Sequence, residues 1–155
     1  MLSPLEESEI EDLRILRNKY RHFFADTFEI YPDAQSKWYA RYLEKANDYM
    51  FSVRQSSDRK WIGTVAVYDV DLLRSCAEFG RLMIDHERTN LRGIGVDIVM
   101  IISKFARLQL HLNTLYLDVR RDNPAAIITY LKSGFIPIKM SENEPYYLCM
   151  KKSLC

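Results

Sequence analysis

The chain has 155 residues, 48% of them hydrophobic and 28% charged, a balance that excludes a wholly disordered chain and fits one folded domain, residues 1–155, burying roughly 70% of its unfolded surface. Twenty-two Lys and Arg against 21 Asp and Glu leave a formal net charge of +1, so no global field recruits nucleic acid or an anionic membrane, and any anion site is local. Cys76, Cys149 and Cys155 form an odd set without metal-ligand spacing, the N-terminus is not of signal type, and the longest apolar stretch, Ile94 to Leu112, is broken by Asp97, Ser103, Lys104 and Arg107. A cytoplasmic protein without nucleic-acid or membrane partners is expected.

From Glu6 to Phe24, the residues Ile10, Leu13, Leu16, Tyr20 and Phe23 recur at three- and four-residue steps among Glu and Arg, which predicts an amphipathic helix. A second helix is predicted from about Ser36 to Ala46, with Trp38, Tyr39, Tyr42, Leu43 and Ala46 on one face and Pro32-Asp33 as turn residues ahead of it. Tyr49–Arg54 and Trp61–Tyr68 flank the polar turn Ser56–Lys60 and read as a hairpin. A strand from Cys76 to Ile84 leads into the polar loop Asp85–Arg92, and Gly93-Ile94-Gly95 opens a long apolar helix to about His111. Thr114–Val119 is a strand, Asn123–Ser133 a helix, and Phe135–Lys139 and Tyr146–Met150 are two short strands. Two helices, a run of antiparallel strands and a strand–helix–strand–helix unit place the chain in the α/β class, as an α+β mixed sheet, central and mostly antiparallel, flanked by helices.

Two segments carry chemistry. In Asn90-Leu91-Arg92-Gly93-Ile94-Gly95, between a strand and a helix N-terminus, glycines let backbone amides approach a ligand and the helix dipole favours negative charge. Taken by itself the segment is either a tight turn or a pyrophosphate cradle. The patterns G-x-G-x-x-G and G-x-x-x-x-G-K-[ST] are both missing, which counts against NAD and ATP. The second segment is Asp122-Asn123-Pro124-Ala125-Ala126-Ile127-Ile128-Thr129-Tyr130-Leu131-Lys132-Ser133-Gly134-Phe135. With both segments in this order and spacing, the chain resembles the GNAT superfamily of acyl-CoA N-acyltransferases. In that family [Gln/Arg]-x-x-Gly-x-[Gly/Ala] after the fourth strand binds the CoA pyrophosphate, and Asn-x-x-Ala-x-x-x-Tyr-x-x-x-Gly-Phe follows the fifth. Asn123, Ala126, Tyr130, Gly134 and Phe135 match the second pattern. Gly93 and Gly95 match the first, with Asn90 where Gln or Arg is usual and Leu91 where glycine is frequent. Leu13–Asn18, Trp38-Tyr39, Ile62–Val65 and Ala77–Ile84 look like landmarks of the branch containing ribosomal-protein alanine, spermidine and sugar-nucleotide amine acetyltransferases. Leu2 to Leu5 leaves room for only a stub of that family's first strand.

The resemblance implies a GNAT-type fold, acetyl-CoA as co-substrate, direct acetyl transfer to a primary amine and no acyl intermediate on Cys76. It implies CoA contacts from the Leu82, Met83 and Ile84 backbone, from Asn90, Leu91, Arg92, Gly93, Ile94 and Gly95, and from Asn123, which can equally be the N-cap of a helix starting at Pro124. Arg88, Arg92, Arg120 and Arg121 are candidates for the phosphates or plain surface charges. His22, His86 and His111 are scattered, so no metal is expected.

An alkylamine of pKa about 10 is only about one part in a thousand neutral at pH 7, so transfer needs a proton acceptor. Glu78 stands on the strand leading to the glycine segment, and alternation places it with Gly80 and Leu82; it is the base, a carboxylate paired with a nearby Arg for structure, or a group that orients the substrate. Tyr130 is either core or, as the family match implies, the group that protonates the leaving thiolate. Phe23, Phe24, Phe28, Tyr31, Trp38, Tyr39 and Tyr42 are expected to be mostly core, with a minority lining the acceptor side beside Asp26, Glu29 and Asp33. The acceptor expected is a small-molecule amine, an amino-sugar nucleotide first, which Arg14, Arg17 and Arg21 favour through their charge; a protein N-terminal amine or a polyamine is the alternative within the enzyme class. A CoA-binding interaction module without catalysis is the alternative outside it. Relatives of this kind are often dimers, so a homodimer is one expected assembly.

Overall fold

The computed structural model describes residues 1–24, 26–138 and 146–155. In chain order the elements are β1 (Leu2–Pro4), α1 (Ile10–Lys19), α2 (Pro32–Leu43), β2 (Tyr49–Arg54), β3 (Trp61–Asp71), β4 (Cys76–Ile84), α3 (Ile94–Leu108), β5 (Thr114–Arg120), α4 (Pro124–Lys132), β6 (Ile136–Pro137) and β7 (Tyr147–Ser153). The strands form one seven-stranded mixed sheet in the order β1-β2-β3-β4-β5-β7-β6. Pairing is antiparallel at β1–β2, β5–β7 and β6–β7 and parallel at β4–β5. The β4–β5 register runs from Cys76↔Thr114 to Glu78↔Tyr116, although β4 continues to Ile84 and β5 to Arg120. No helix among the described residues is long and apolar enough to cross a membrane.

The predicted Glu6–Phe24 helix is broken into a 3-10 turn, Glu7–Glu9, the α-helix α1, and a second 3-10 turn, Arg21–Phe23. Glu9 explains the first break: its carboxylate turns inward, accepting from Ser52 Oγ at 2.6 Å and from the Glu6 N–H at 2.9 Å, and pairing with Arg54. The second helix begins at Pro32, four positions before the predicted Ser36, because a proline at the first helical position has its φ already set. β3 and β7 outrun their predicted ends, and α3 stops short of His111. Of the predicted Phe135–Lys139 strand Ile136–Pro137 forms the strand, the Ile138 N–H adds one bond to the Cys149 carbonyl at 2.9 Å, and Lys139 lies outside the described residues. The first strand is the expected stub, with Leu2 opposite Val53 and Pro4 opposite Phe51.

The chain divides into two compact units. In the first, Met1–Ala66 with Arg81–Leu91, the core holds Leu13 and Leu16 of α1, Val53 of β2, and Ile62 and Val65 of β3. β4 carries an irregularity here. Arg81 has the left-handed φ of 51°, the signature of a β-bulge, and beyond it strict alternation fails, since Met83 and Ile84 are both buried. Two anchors hold that conformation: the guanidinium forks onto Asp48 at 2.7 and 2.9 Å, and Thr64 Oγ1 donates to the Arg81 carbonyl at 3.0 Å. The second unit, Val67–Gly80 with Arg92–Cys155, is built on Val99, Ile102 and Ala106 of α3, alternate residues of β5, and the aromatic trio Phe79, Tyr130 and Phe135.

Candidate active site

In the first unit, three α1 side chains hold the loop that leads to α2. Asn18 pairs with both backbone groups of Ile30, at 2.8 and 2.9 Å, Arg14 donates to the same Ile30 carbonyl at 3.0 Å, and Arg17 Nη2 donates to the Asp26 carbonyl at 2.9 Å. Beneath this loop lies a cavity of about 390 Å³ whose wall includes Leu13, Arg17, Phe24, Trp38, Arg41 and Arg81. Asp26 also lines it, with one carboxylate oxygen taken by the Phe28 N–H. Glu29 pairs with Arg21 at 3.7 Å, and Asp33 sits exposed in the first turn of α2.

The aromatic group expected to be mostly core is not. Phe28 and Tyr31 are exposed, and Phe23, Phe24, Trp38, Tyr39 and Tyr42 are half-buried. The only residue of α2 that is fully buried is Gln35. Of the α2 aromatics Trp38 lines the cavity, with Tyr42 stacked on it at 5.5 Å, and none of them forms a buried core layer.

Leu82 is half-buried, and Met83 and Ile84 are buried. The Ile84 carbonyl accepts from the Tyr20 hydroxyl at 3.2 Å. Asn90 and Leu91 are exposed, and the Leu91 N–H is held by Thr89 Oγ1 at 3.2 Å. Arg88, a phosphate candidate in the sequence, is already committed: it meets Asp12 at 2.5 Å and Asp85 at 3.2 Å and lies over the Trp61 ring.

In the second unit the glycine segment resolves into two different roles. Gly93 is the left-handed N-cap of α3, with φ 72°, and a Cβ placed on it would meet nothing within 4 Å. Gly95 is instead a packing residue, since a Cβ there would stand 3.0 Å from Thr129 Cγ2 of α4. The first N–H groups of α3, Ile94 and Gly95 included, have no intrahelical acceptor, as at any helix start, and Gly93 leaves the space before them open. Arg92 is exposed just ahead of this turn.

Asn123 caps α4, its Oδ1 accepting from the Ala126 N–H at 3.2 Å, with Pro124 at the first helical position. About two turns after the cap, Tyr130 is buried, edge-on to Phe79 and to Phe135 at 5.8 Å in both cases. Burial pushes its phenol up to about 12, so it is protonated throughout the physiological range. Glu78, next to Phe79 on β4, points to the other face of the strand and is exposed, which removes the buried-pair version of its structural reading. Burial, then Asp118, hold the Cys149 thiol up at about 11, an unreactive state. Arg120 forks onto Asp122 at 2.9 and 2.7 Å, so a second phosphate candidate is taken.

Sequence reasoning missed Arg41, Arg81 and Asp48. Nothing local marks them, because their roles come from a left-handed residue in a strand and from a cavity wall assembled from distant segments.

The chain is similar to known acetyltransferases. The family model described as an acetyltransferase (GNAT) domain matches residues 1–136. A curated relative, the acetyltransferase PseH of Campylobacter jejuni, is 27% identical over 134 residues, 81% of this chain and 82% of that protein. Among solved structures, the spermidine N-acetyltransferase of Vibrio cholerae in complex with CoA and spermine superposes with a TM-score of 0.84 at 21% identity, covering 99% of this chain and 95% of that one. A chimera of the same Vibrio cholerae enzyme reaches a TM-score of 0.85 at 20% identity over the same shares.

Proposed function

Since the chain belongs to the GNAT acetyltransferase family and is an N-acetyltransferase, we propose that it acetylates the primary amine of a small anionic molecule, an amino-sugar nucleotide first, with acetyl-CoA as donor. The observation that carries the acceptor class is the charge of the cavity wall. Arg81 is neutralised by Asp48, which leaves Arg17 and Arg41 against the single carboxylate of Asp26. A polyamine brings two or more positive charges and needs the opposite excess.

The second unit supplies the donor chemistry in this reading. The open turn at Gly93 and the α3 N-terminus, through the amides of Ile94 and Gly95, suit the pyrophosphate of CoA. Asn123 fixes the start of α4 and thereby the position of Tyr130. The amine must be neutral to attack the thioester carbon; Glu78 takes its proton, directly or through water. As the carbon–sulfur bond breaks, Tyr130 gives its hydroxyl hydrogen bond to the developing thiolate.

Titration calorimetry with acetyl-CoA, with NAD and ATP as controls, tests the donor side. Micromolar binding of acetyl-CoA alone is expected; equal binding of ATP would overturn the cradle. Release of free CoA thiol is then followed with an amino-sugar nucleotide, spermidine and a peptide with an N-terminal alanine as acceptors. Turnover with spermidine ahead of the nucleotide would reverse the acceptor assignment. For the cradle itself, Gly93→Ala is expected to raise the KM for acetyl-CoA about tenfold while costing about 1 kcal/mol of stability for the left-handed backbone. An unchanged KM would show that the turn does not face the phosphates.

A further inference from the structure

We propose that Arg17 is the anion-holding residue of the acceptor cavity, its guanidinium taking an oxyanion of the amine substrate. The inference rests on the acceptor reading above and adds the residue that would enforce it.

Arg14, Arg17 and Arg21 share the spacing of one helix and its continuation, yet only one of them is left over. Arg14 is bidentate with Glu11, at 2.6 and 2.8 Å, and Arg21 faces Glu29. Arg17 makes no ion pair among the described residues. Its guanidinium carbon lies over the Phe24 ring, 3.7 Å from the centroid, and Nη2 is taken by the Asp26 carbonyl. Nη1 is buried and has no hydrogen-bond partner, the one such side-chain atom among the described residues.

A charged N–H group out of water without an acceptor is among the more costly states a side chain can adopt. Burial accordingly lowers the Arg17 pKa, and the charge of Asp26 offsets this only in part. Natural folds rarely keep such a group without a use for it, and this one belongs to a cavity wall. Arg41, on α2, lines the same cavity and likewise makes no ion pair among the described residues. Two unneutralised guanidinium groups and one carboxylate favour a ligand group with more than one negative oxygen, and the planar fork of Arg17 suits phosphate, diphosphate or carboxylate. Among the described residues the guanidinium's hydrogen bond and ring contact are the Asp26 carbonyl and the Phe24 ring, so a turn about its terminal torsions is what would present Nη1 to the cavity.

The test uses the protein saturated with CoA, so that the phosphate cradle is already filled. Inorganic pyrophosphate is expected to bind the CoA-saturated wild type and to lose at least tenfold in affinity on Arg17→Met. In steady-state kinetics, Arg17→Met is expected to raise the KM for a diphosphate-bearing amine about 10–100-fold, with kcat within about twofold, and to leave a neutral amino sugar unaffected. Arg17→Lys recovers part of the loss, and the melting temperature of Arg17→Met holds or rises because an unpaired buried nitrogen is removed. If Arg17→Met does not fold, the Lys variant carries the KM comparison. An equal KM change for charged and neutral acceptors, or unaltered pyrophosphate affinity, overturns the inference. A wild type that uses the amino-sugar nucleotide with a KM indifferent to Arg17 sinks this assignment and leaves the acceptor reading intact. A carboxylate-bearing amine accepted in place of the nucleotide, with the same dependence on Arg17, does the reverse.

Discussion

Tyr130→Phe is expected to lower kcat by about 10²–10³-fold while acetyl-CoA affinity changes by no more than about twofold. The substitution removes one hydroxyl and keeps the ring edge-on to Phe79 and Phe135, so the core contacts that hold α4 survive and the melting temperature should barely move. Two properties of the site set the size of the effect. The hydroxyl sits where burial pushes the phenol up to about 12, so it is present as a donor at any working pH. A phenol of that strength does not hand its proton completely to a thiolate of pKa about 8.5, so the contribution proposed for it is a hydrogen bond that strengthens as charge develops on sulfur. It follows that Tyr130 adds no limb to the pH–rate profile below about pH 11, and the variant should keep the wild-type profile at a lower rate. Full activity in Tyr130→Phe would remove the residue from the mechanism and return it to the core.

The parts of the site that were legible in the sequence are those whose cause is local. Asn123, Pro124 and the Gly134-Phe135 exit lie within one helix length, and the cap, the start and the stop of α4 appear where the letters put them. The same holds for Gly93, whose left-handed turn needs only its own missing side chain. What failed depended on partners far along the chain. The break at Glu9 follows from contacts with Ser52 and Arg54, which no periodicity within Glu6–Phe24 reveals. Alternation along β4 holds from Ala77 to Phe79 and ends at Arg81, where a residue type that avoids positive φ is held there by Asp48 and Thr64. The three arginines of the first helix looked alike in sequence; only the positions of Glu11, Glu29 and the Asp26 backbone separate Arg17 from the other two. Aromatic spacing on α2 suggested core because the period of a fully buried face and that of a half-buried one are the same.

Gly63→Ala should be the most damaging of the glycine-to-alanine substitutions in this chain. A Cβ at position 63 would stand 2.0 Å from the Met83 carbonyl oxygen, 3.0 Å from its carbon and 3.1 Å from Ile84 Cα. All three obstacles are backbone, so no side-chain rotation relieves them and the two strands must part. About 3 kcal/mol or more of stability is expected to go, a fall of about 6–12 °C in melting temperature for a chain of this length. Gly134→Ala is the matched control: it carries a true left-handed φ of 89°, but its Cβ meets only Lys152 Cε at 3.9 Å, so it should cost about 1 kcal/mol. The damage at Gly63 should not stop at stability. Thr64, its neighbour, fixes the Arg81 carbonyl, and Arg81 and Met83 both line the cavity proposed to take the acceptor. At temperatures where Gly63→Ala is still folded, its KM for the acceptor should therefore rise before its KM for acetyl-CoA does. A variant that melts within about 2 °C of the wild type would show that β3 and β4 can separate there without cost, and the rigid pairing that holds Arg81 in its left-handed state would have to be abandoned as the basis of the cavity's shape.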